Sequence, residues 1–197
     1  MAVLCVLASC ATLTTTQPGD PVAWEARRAA LTPRSTFTIG GRVAIAAGDE
    51  GYSGSLDWDQ QGEVLDARFE GPFGAGGVHI RGDAAVLEGS TSKGQTFSIT
   101  DPERELEARL GWPMPVRSMR YWLVGIPDPG AEFDAAYDAA GRPRLLLQGG
   151  WTVRYETWQP NEPHALPRKL TIERDDLRIK VVAETWRMLA APVPPQG

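Results

Sequence analysis

Beyond residue 10 this sequence has no cysteine: Cys5 and Cys10 are the only two in 197 residues. That excludes a disulfide framework, thiol chemistry and a cysteine metal site from the body of the chain. Histidine is as scarce, with His79 and His164 alone. A Ser-His-Asp triad or a histidine metal site would have to use one of these. His79 falls on the polar phase of a strand pattern and His164 in the loop Pro163-His164-Ala165, so both read as solvated side chains. A basic excess is missing too: 25 Asp and Glu against 20 Lys and Arg give a net charge of −5. A nucleic-acid binder would show a basic face. No apolar run approaches the roughly 20 residues that cross a bilayer as a helix. What the chain does have is 21 Gly, 16 Pro and 7 Trp. The glycine and proline follow no collagen-like period. The length suits one domain, large enough for a core of its own.

The first nine residues, Met-Ala-Val-Leu-Cys-Val-Leu-Ala-Ser, are uncharged and almost wholly apolar. Too short to span a bilayer, they read as the h-region of a signal peptide. Leu7-Ala8-Ser9-Cys10 resembles the lipobox of bacterial lipoproteins. In those proteins a diacylglycerol is attached to the cysteine sulfur, the peptide is cut before it, and the new amino terminus is acylated. The bland reading of Cys10 is a buried cysteine in a short apolar N-terminus. No Lys or Arg precedes the apolar run, which implies a true start upstream or a misassigned one. Ala11 stands where the resemblance implies that Asp would favour the inner membrane, so the outer membrane is expected. With up to three chains, at roughly 0.8 kcal/mol per buried methylene, such an anchor is effectively permanent. Residues 11–19 then read as a polar tether reaching roughly 30 Å when extended.

The body is patterned as strands. Asp20-Pro21 opens a short helix with Trp24, Arg28 and Leu31 on one face, ended by Pro33. From Phe37 the period is two: Phe37, Ile39, Gly41, Val43 and Ile45, then Tyr52, Gly54, Leu56 and Trp58, then Leu65, Ala67 and Phe69. Val78 with Ile80, Val86, and Phe97 with Ile99 continue a meander with turns about every ten residues. Asp101-Pro102 starts a helix that Gly111 ends; its Glu103, Glu105 and Glu107 read as a solvated face. Pro115 starts another, which Gly125 stops. Strands resume at 145–148, 151–157, 170–172 and 177–183. The Pro-rich end, 190–197, is expected to be disordered. About ten strands with helices between the halves predict a curved antiparallel sheet or open barrel, the helices covering one opening. A closed, fully packed small barrel competes with it.

Two features ask for more than a scaffold. Seven Trp on a curved sheet are either core or the lining of a cavity too wide for side chains to fill. The segment Gly71-Pro72-Phe73-Gly74-Ala75-Gly76-Gly77 places one large apolar residue at a stiffened turn. Phe73 is either a membrane-touching finger or a ring folded back on the sheet.

Taken in order, the segments resemble the LolB family of outer-membrane lipoprotein receptors. They are the lipobox at Cys10, Gly40-Gly41-Arg42-Val43, Tyr52-Ser53-Gly54 with Trp58, and Gly71-Pro72-Phe73-Gly74. Leu110-Gly111-Trp112, Met114-Pro115-Val116, Tyr121-Trp122-Leu123-Val124-Gly125, Gln148-Gly149-Gly150-Trp151-Thr152-Val153, Leu166-Pro167 and Trp186 complete the series. The resemblance implies a mainly β fold, an incomplete antiparallel barrel of about eleven strands with short helices as a lid. It implies an apolar cavity that takes the acyl chains of a triacylated lipoprotein from the periplasmic carrier LolA, and delivery of that cargo to the inner leaflet of the outer membrane. It assigns the membrane-insertion loop to Pro72, Phe73 and Gly74, where the family often has Leu at the tip.

The expected cavity lining is Trp58, Phe69, Trp112, Met119, Trp122, Trp151, Tyr155 and Ile179. The expected division is 1–9 signal peptide, 10–19 lipidated cysteine and tether, 20–189 a single open-barrel domain, and 190–197 tail. A lipid-anchored monomer facing the periplasm is expected, with no catalytic residue, no metal, no nucleic acid and no cofactor beyond the covalent lipid on Cys10. The alternatives are a structural or assembly lipoprotein without acyl transfer, a LolA-type carrier on the same fold, and, weakest, an enzyme.

Overall fold

The computed structural model describes residues 19–72, 76–83, 85–160 and 164–188. The signal peptide, Cys10, all of the tether but Gly19, Phe73 and Gly74 of the insertion loop, and the tail 190–197 lie outside the described residues.

Helix α1 (Pro21–Leu31) starts as its sequence dictates: the Asp20 carboxylate accepts from the Val22 N–H at 2.8 Å, and Pro21 needs no partner for its nitrogen. Its buried face is Trp24, Arg27 and Leu31. That corrects the expected stripe by one residue. Arg28 lies on the flank, paired with Glu25 and stacked 4.8 Å from the Phe133 ring, while Arg27 goes inside.

A six-strand meander follows: β1 (Thr36–Ala47), β2 (Glu50–Gln61), β3 (Val64–Glu70), β4 (Gly77–Gly82), β5 (Leu87–Thr91) and β6 (Thr96–Ile99). Two helices come next, α2 (Pro102–Leu110) and α3 (Val116–Val124). Then β7 (Phe133–Tyr137), β8 (Pro143–Gln148), β9 (Trp151–Trp158), β10 (Pro167–Arg174) and β11 (Leu177–Met188) complete the chain. All eleven belong to one antiparallel sheet in the order β6-β5-β4-β3-β2-β1-β11-β10-β9-β8-β7. The long β1–β11 pairing therefore joins two meanders. Among the described residues β6 and β7 pair on one side only, so the sheet is open and the closed small barrel is excluded. A bulge falls between Gly40 and Gly41 in the β1–β11 ladder, where a β-carbon on Gly41 would stand 2.1 Å from the Val182 carbonyl oxygen.

Three local readings are corrected. Strand β7 was not expected: Phe-Asp-Ala-Ala-Tyr is short with two alanines at its middle, and it is held by its ladder with β8 and by Trp24 of α1, stacked 5.2 Å from Tyr137. Val86 precedes β5 and is exposed, because Leu87 takes the inward phase. Glu105 is not a solvated residue of a bare helix face. It is half-buried and accepts from the Thr100 and Asp101 N–H groups at 2.9 and 3.2 Å, closing the first turn of α2. Glu107 is exposed as expected.

The core follows the period-two phase. Phe37, Ile39 and Val43 of β1, Leu56 and Trp58 of β2, Val153 and Tyr155 of β9, Leu170 and Ile172 of β10, and Ile179 and Val181 of β11 form one cluster with Met119, Trp122 and Leu123 of α3. A second, smaller cluster joins Leu87, Ile99 and Leu106 beneath α2. Met114 and Val116, between the helices, pack against both. Each large side chain buried this way contributes about 1.5–3 kcal/mol.

Candidate acyl-chain site

The eight residues expected to line a cavity come from β2, β3, β9, β11, α3 and the α2–α3 connection, and all eight meet in the main cluster. Trp58, Met119, Trp122, Trp151, Tyr155 and Ile179 are buried, with exposures of 1–6%. Phe69 and Trp112 are half-buried at its margin. The inward phase of the sheet supplies the floor and α3 the cover.

Helix α3 is tied down at its C-terminal end by polar groups that the sequence reading passed over. The Tyr155 hydroxyl donates to the Trp122 carbonyl at 3.0 Å. The Arg27 guanidinium donates to the carbonyls of Val124 at 2.8 Å, Gly125 at 3.1 Å and Ala165 at 2.9 Å, and stacks 4.7 Å over Trp158. A cation at a helix C-terminus meets both the unpaired carbonyls and the negative end of the dipole. Burial pulls the Arg27 pKa down to about 10 and pushes the Tyr155 phenol up. Arg27 thus stays charged and Tyr155 stays neutral at neutral pH.

Two buried glutamines hold two of the buried tryptophans. Gln148 accepts from the Trp122 indole and the Asp128 N–H, each at 2.9 Å, and donates to the carbonyls of Asp128 and Ala131 at 2.7 and 2.9 Å. Gln60 accepts from the Trp58 indole at 3.2 Å and donates to the carbonyls of Gly62 and Val64. The sequence carried a signal for both: each stands on the inward phase of its strand, two residues on from Trp58 and Leu146. For Arg27 the signal was its spacing of three from Trp24 and four to Leu31.

One margin of the cluster lies near the end of β3, at Phe69. Tyr52, expected inward, is exposed on one side because it stands near the start of β2; its other side carries Trp112, ring centroids 5.4 Å apart. Two residues further, a β-carbon on Gly54 would stand 3.0 Å from Phe69 Cε2 and 2.0 Å from the Glu70 carbonyl oxygen. Glycine there makes room for the Phe69 ring. Phe69 is followed by Glu70, Gly71 and the exposed Pro72, so the loop leaves the sheet at this margin.

Elsewhere an open groove of about 950 Å³ runs between residues 129–134 and the β8–β9 turn, with Trp151 on its wall. A pocket of about 180 Å³ lies beneath the start of α3, with Gln60, Leu65, Leu87 and Arg120 among its walls. Neither histidine is simply solvated. His79 is half-buried with Nε2 2.8 Å from Asp66 Oδ1, and His164 is half-buried with its pKa lowered by burial and by Arg34 and Arg27. Among the described residues no three His, Cys, Asp or Glu side chains form a metal-binding group.

The family model described as outer membrane lipoprotein LolB matches residues 35–186, which takes in the sheet but for the last two residues of β11, helices α2 and α3, and every one of the eight residues. The chain belongs to the LolB family. Outer-membrane lipoprotein LolB of Nitrosococcus oceani is 35% identical over 188 residues, covering 94% of each chain. That of Halorhodospira halophila is 36% identical over 151 residues, covering 76% of this chain and 74% of its own. A LolA superfamily protein from Nitrosomonas europaea has the same fold at 10% identity, with a TM-score of 0.50 over 89% of this chain and 96% of that one. LolB membership makes this chain an outer-membrane lipoprotein with a role in lipoprotein localisation. No described helix is long and apolar enough to cross a membrane.

Proposed function

We propose that this LolB-family chain receives triacylated lipoproteins from a LolA-type periplasmic carrier, shelters their acyl chains between its sheet and the α2–α3 cover, and inserts them into the inner leaflet of the outer membrane. The observation that carries the reading is the convergence of eight large apolar side chains, five from the inner face of an open sheet and three from α3 and the segment before it. An open edge and a thin cover let such an interior exchange side-chain contacts for chain contacts; a closed barrel would not. Lipidated Cys10 holds the protein at the membrane as a monomer facing the periplasm. Residues 20–189 form the working domain, and the covalent lipid is its only prosthetic group. The loop Pro72-Phe73-Gly74 is the membrane finger; it follows β3, whose Phe69 stands at the half-buried margin of the interior.

The energetics fit this role. Carrying three acyl chains through water exposes roughly 40 methylenes at about 0.8 kcal/mol each, which no unassisted transfer can meet. With no nucleotide hydrolysed at the outer membrane, each transfer must run downhill, from carrier to receptor to bilayer. The interior therefore binds chains more tightly than the carrier does and less tightly than the membrane.

The test is a handoff. Carrier loaded with a triacylated lipoprotein is mixed with this chain lacking its own lipid, and cargo is assayed on each partner, with and without liposomes. Cargo moves to the wild type and on into liposomes. Phe73→Glu accepts cargo and fails to release it. If cargo stays on the carrier, the chain is an anchored assembly lipoprotein instead.

A further inference from the structure

One polar group at this site has no partner. The indole N–H of Trp112 is buried, yet among the described residues nothing accepts its hydrogen. Two of the buried interior tryptophans, Trp58 and Trp122, each donate to a glutamine. Leaving such a donor unpaired costs roughly 1–3 kcal/mol, so native proteins seldom keep one without a use. Flanking geometry does not allow the ring to escape easily. Gly111 is in the left-handed region at φ 82°, Pro113 and Pro115 fix the backbone on the C-terminal side, and Tyr52 packs on the ring. Substitution of a tryptophan by phenylalanine would fill most of the same apolar space without stranding a donor. The place matters as well: Trp112 sits at the margin of the cluster, beside the strand end that leads to the insertion loop.

We propose that the Trp112 indole N–H donates a hydrogen bond to an acyl carbonyl of the bound lipid, where the chain joins its glycerol or amine. This deepens the acyl-chain reading of the same interior and rests on it. An acyl chain has its one polar atom set at the carbonyl end. With the hydrocarbon inside and the head outside, that oxygen lies at the margin, where the unpaired donor waits. The contact distinguishes an acylated ligand from plain hydrocarbon and sets how far each chain enters. The free N–H also keeps the unliganded protein slightly penalised at this point, a penalty that the ligand relieves.

The proposal separates ester from ether lipids. The full chain carrying Cys10→Ala, so that no lipid of its own competes, is titrated with a diester glycerolipid and with its diether analogue of equal chain length. The ether oxygen is a far poorer acceptor. Wild-type Trp112 binds the diester roughly three- to tenfold more tightly, the worth of one neutral hydrogen bond. Trp112→Phe loses that preference and binds the two lipids alike. Equal binding of both lipids by the wild type, or a preference that survives in Trp112→Phe, overturns the proposal while leaving the cavity reading intact. Binding of neither lipid overturns the cavity reading itself. An independent readout keeps the test valid if the variant folds poorly: in the wild type, the indole N–H resonance missing from the Trp112→Phe spectrum moves downfield with diester and not with diether. A resonance that stays still with both contradicts the proposal.

Discussion

At the scale of single residues, the interior depends on a few polar groups placed among large apolar ones. Gln148 uses both amide hydrogens and its carbonyl oxygen, so its replacement by leucine strands the Trp122 indole, the Asp128 N–H and two carbonyls together. Gln148→Leu is expected to lose about 2–4 kcal/mol in urea denaturation, despite adding apolar surface. Gln148→Glu is expected to fare no better, since the acid loses both donors. Arg27→Leu removes two carbonyl contacts at the end of α3 and a third to Ala165, and is expected to cost a similar amount. It also frees α3, so hydrogen exchange at residues 119–125 is expected to rise more than exchange in β1 and β11. A uniform rise would show that Arg27 acts on global stability alone. The aromatic members of the interior were legible because period-two patterning fixes which side of a strand faces in. Arg27 was missed although its spacing from Trp24 and Leu31 puts it on their face, because one step along a helix turns a side chain by about 100° and its charge argued for the solvent side.

At the scale of elements, the ladder tolerates little added bulk at its bulge. Gly41→Ala drives a methyl into the Val182 carbonyl at 2.1 Å, and the clash is with backbone. A loss of about 1–3 kcal/mol is expected, read as a lower melting temperature, with Ala44→Ser on the outer face of the same strand as the harmless control. The β7–β8 turn gives the pH dependence. Burial alone raises the Asp138 carboxyl, but the Arg142 and Ala140 N–H groups, the Arg142 guanidinium and its charge outweigh it and hold the pKa below the ordinary 3.8. A depressed folded pKa means stability that is complete above the ordinary value and lost as pH falls through the folded one. Asp138→Asn is therefore expected to lose stability at neutral pH, by less than about 1 kcal/mol, and to converge with the wild type as pH falls through the folded pKa. Curves that stay parallel to acid would assign the loss to turn geometry. Most element boundaries could be read from Gly, Pro and Asp. Strand β7 escaped, since it is short with two alanines at its middle, and beyond its pairing with β8 it is completed by Trp24 of α1 on Tyr137, a contact between residues far apart in the chain.

At the scale of the whole molecule, the two ends of the sheet never meet, and that separates this fold from a filled barrel. The order of the strands followed from the meander pattern in each half. The joining of β1 to β11 did not, because nothing local says that the first and last strands pair. The consequence for function is a core assembled like any other, with Trp122, Tyr155 and Ile179 packed together, yet roofed among the described residues by α3, the segment before it and Leu31 of α1. The central claim is that acyl chains displace this packing and lie against those tryptophans. The most direct measurement is tryptophan emission on mixing with a triacylated lipoprotein whose acyl chains carry bromine, which quenches only near contact. Marked quenching is expected with brominated cargo, none with the unbrominated form, and recovery when liposomes take the cargo away. Emission that is unchanged by brominated cargo, with the cargo bound, would place the chains outside the sheet and contradict the claim.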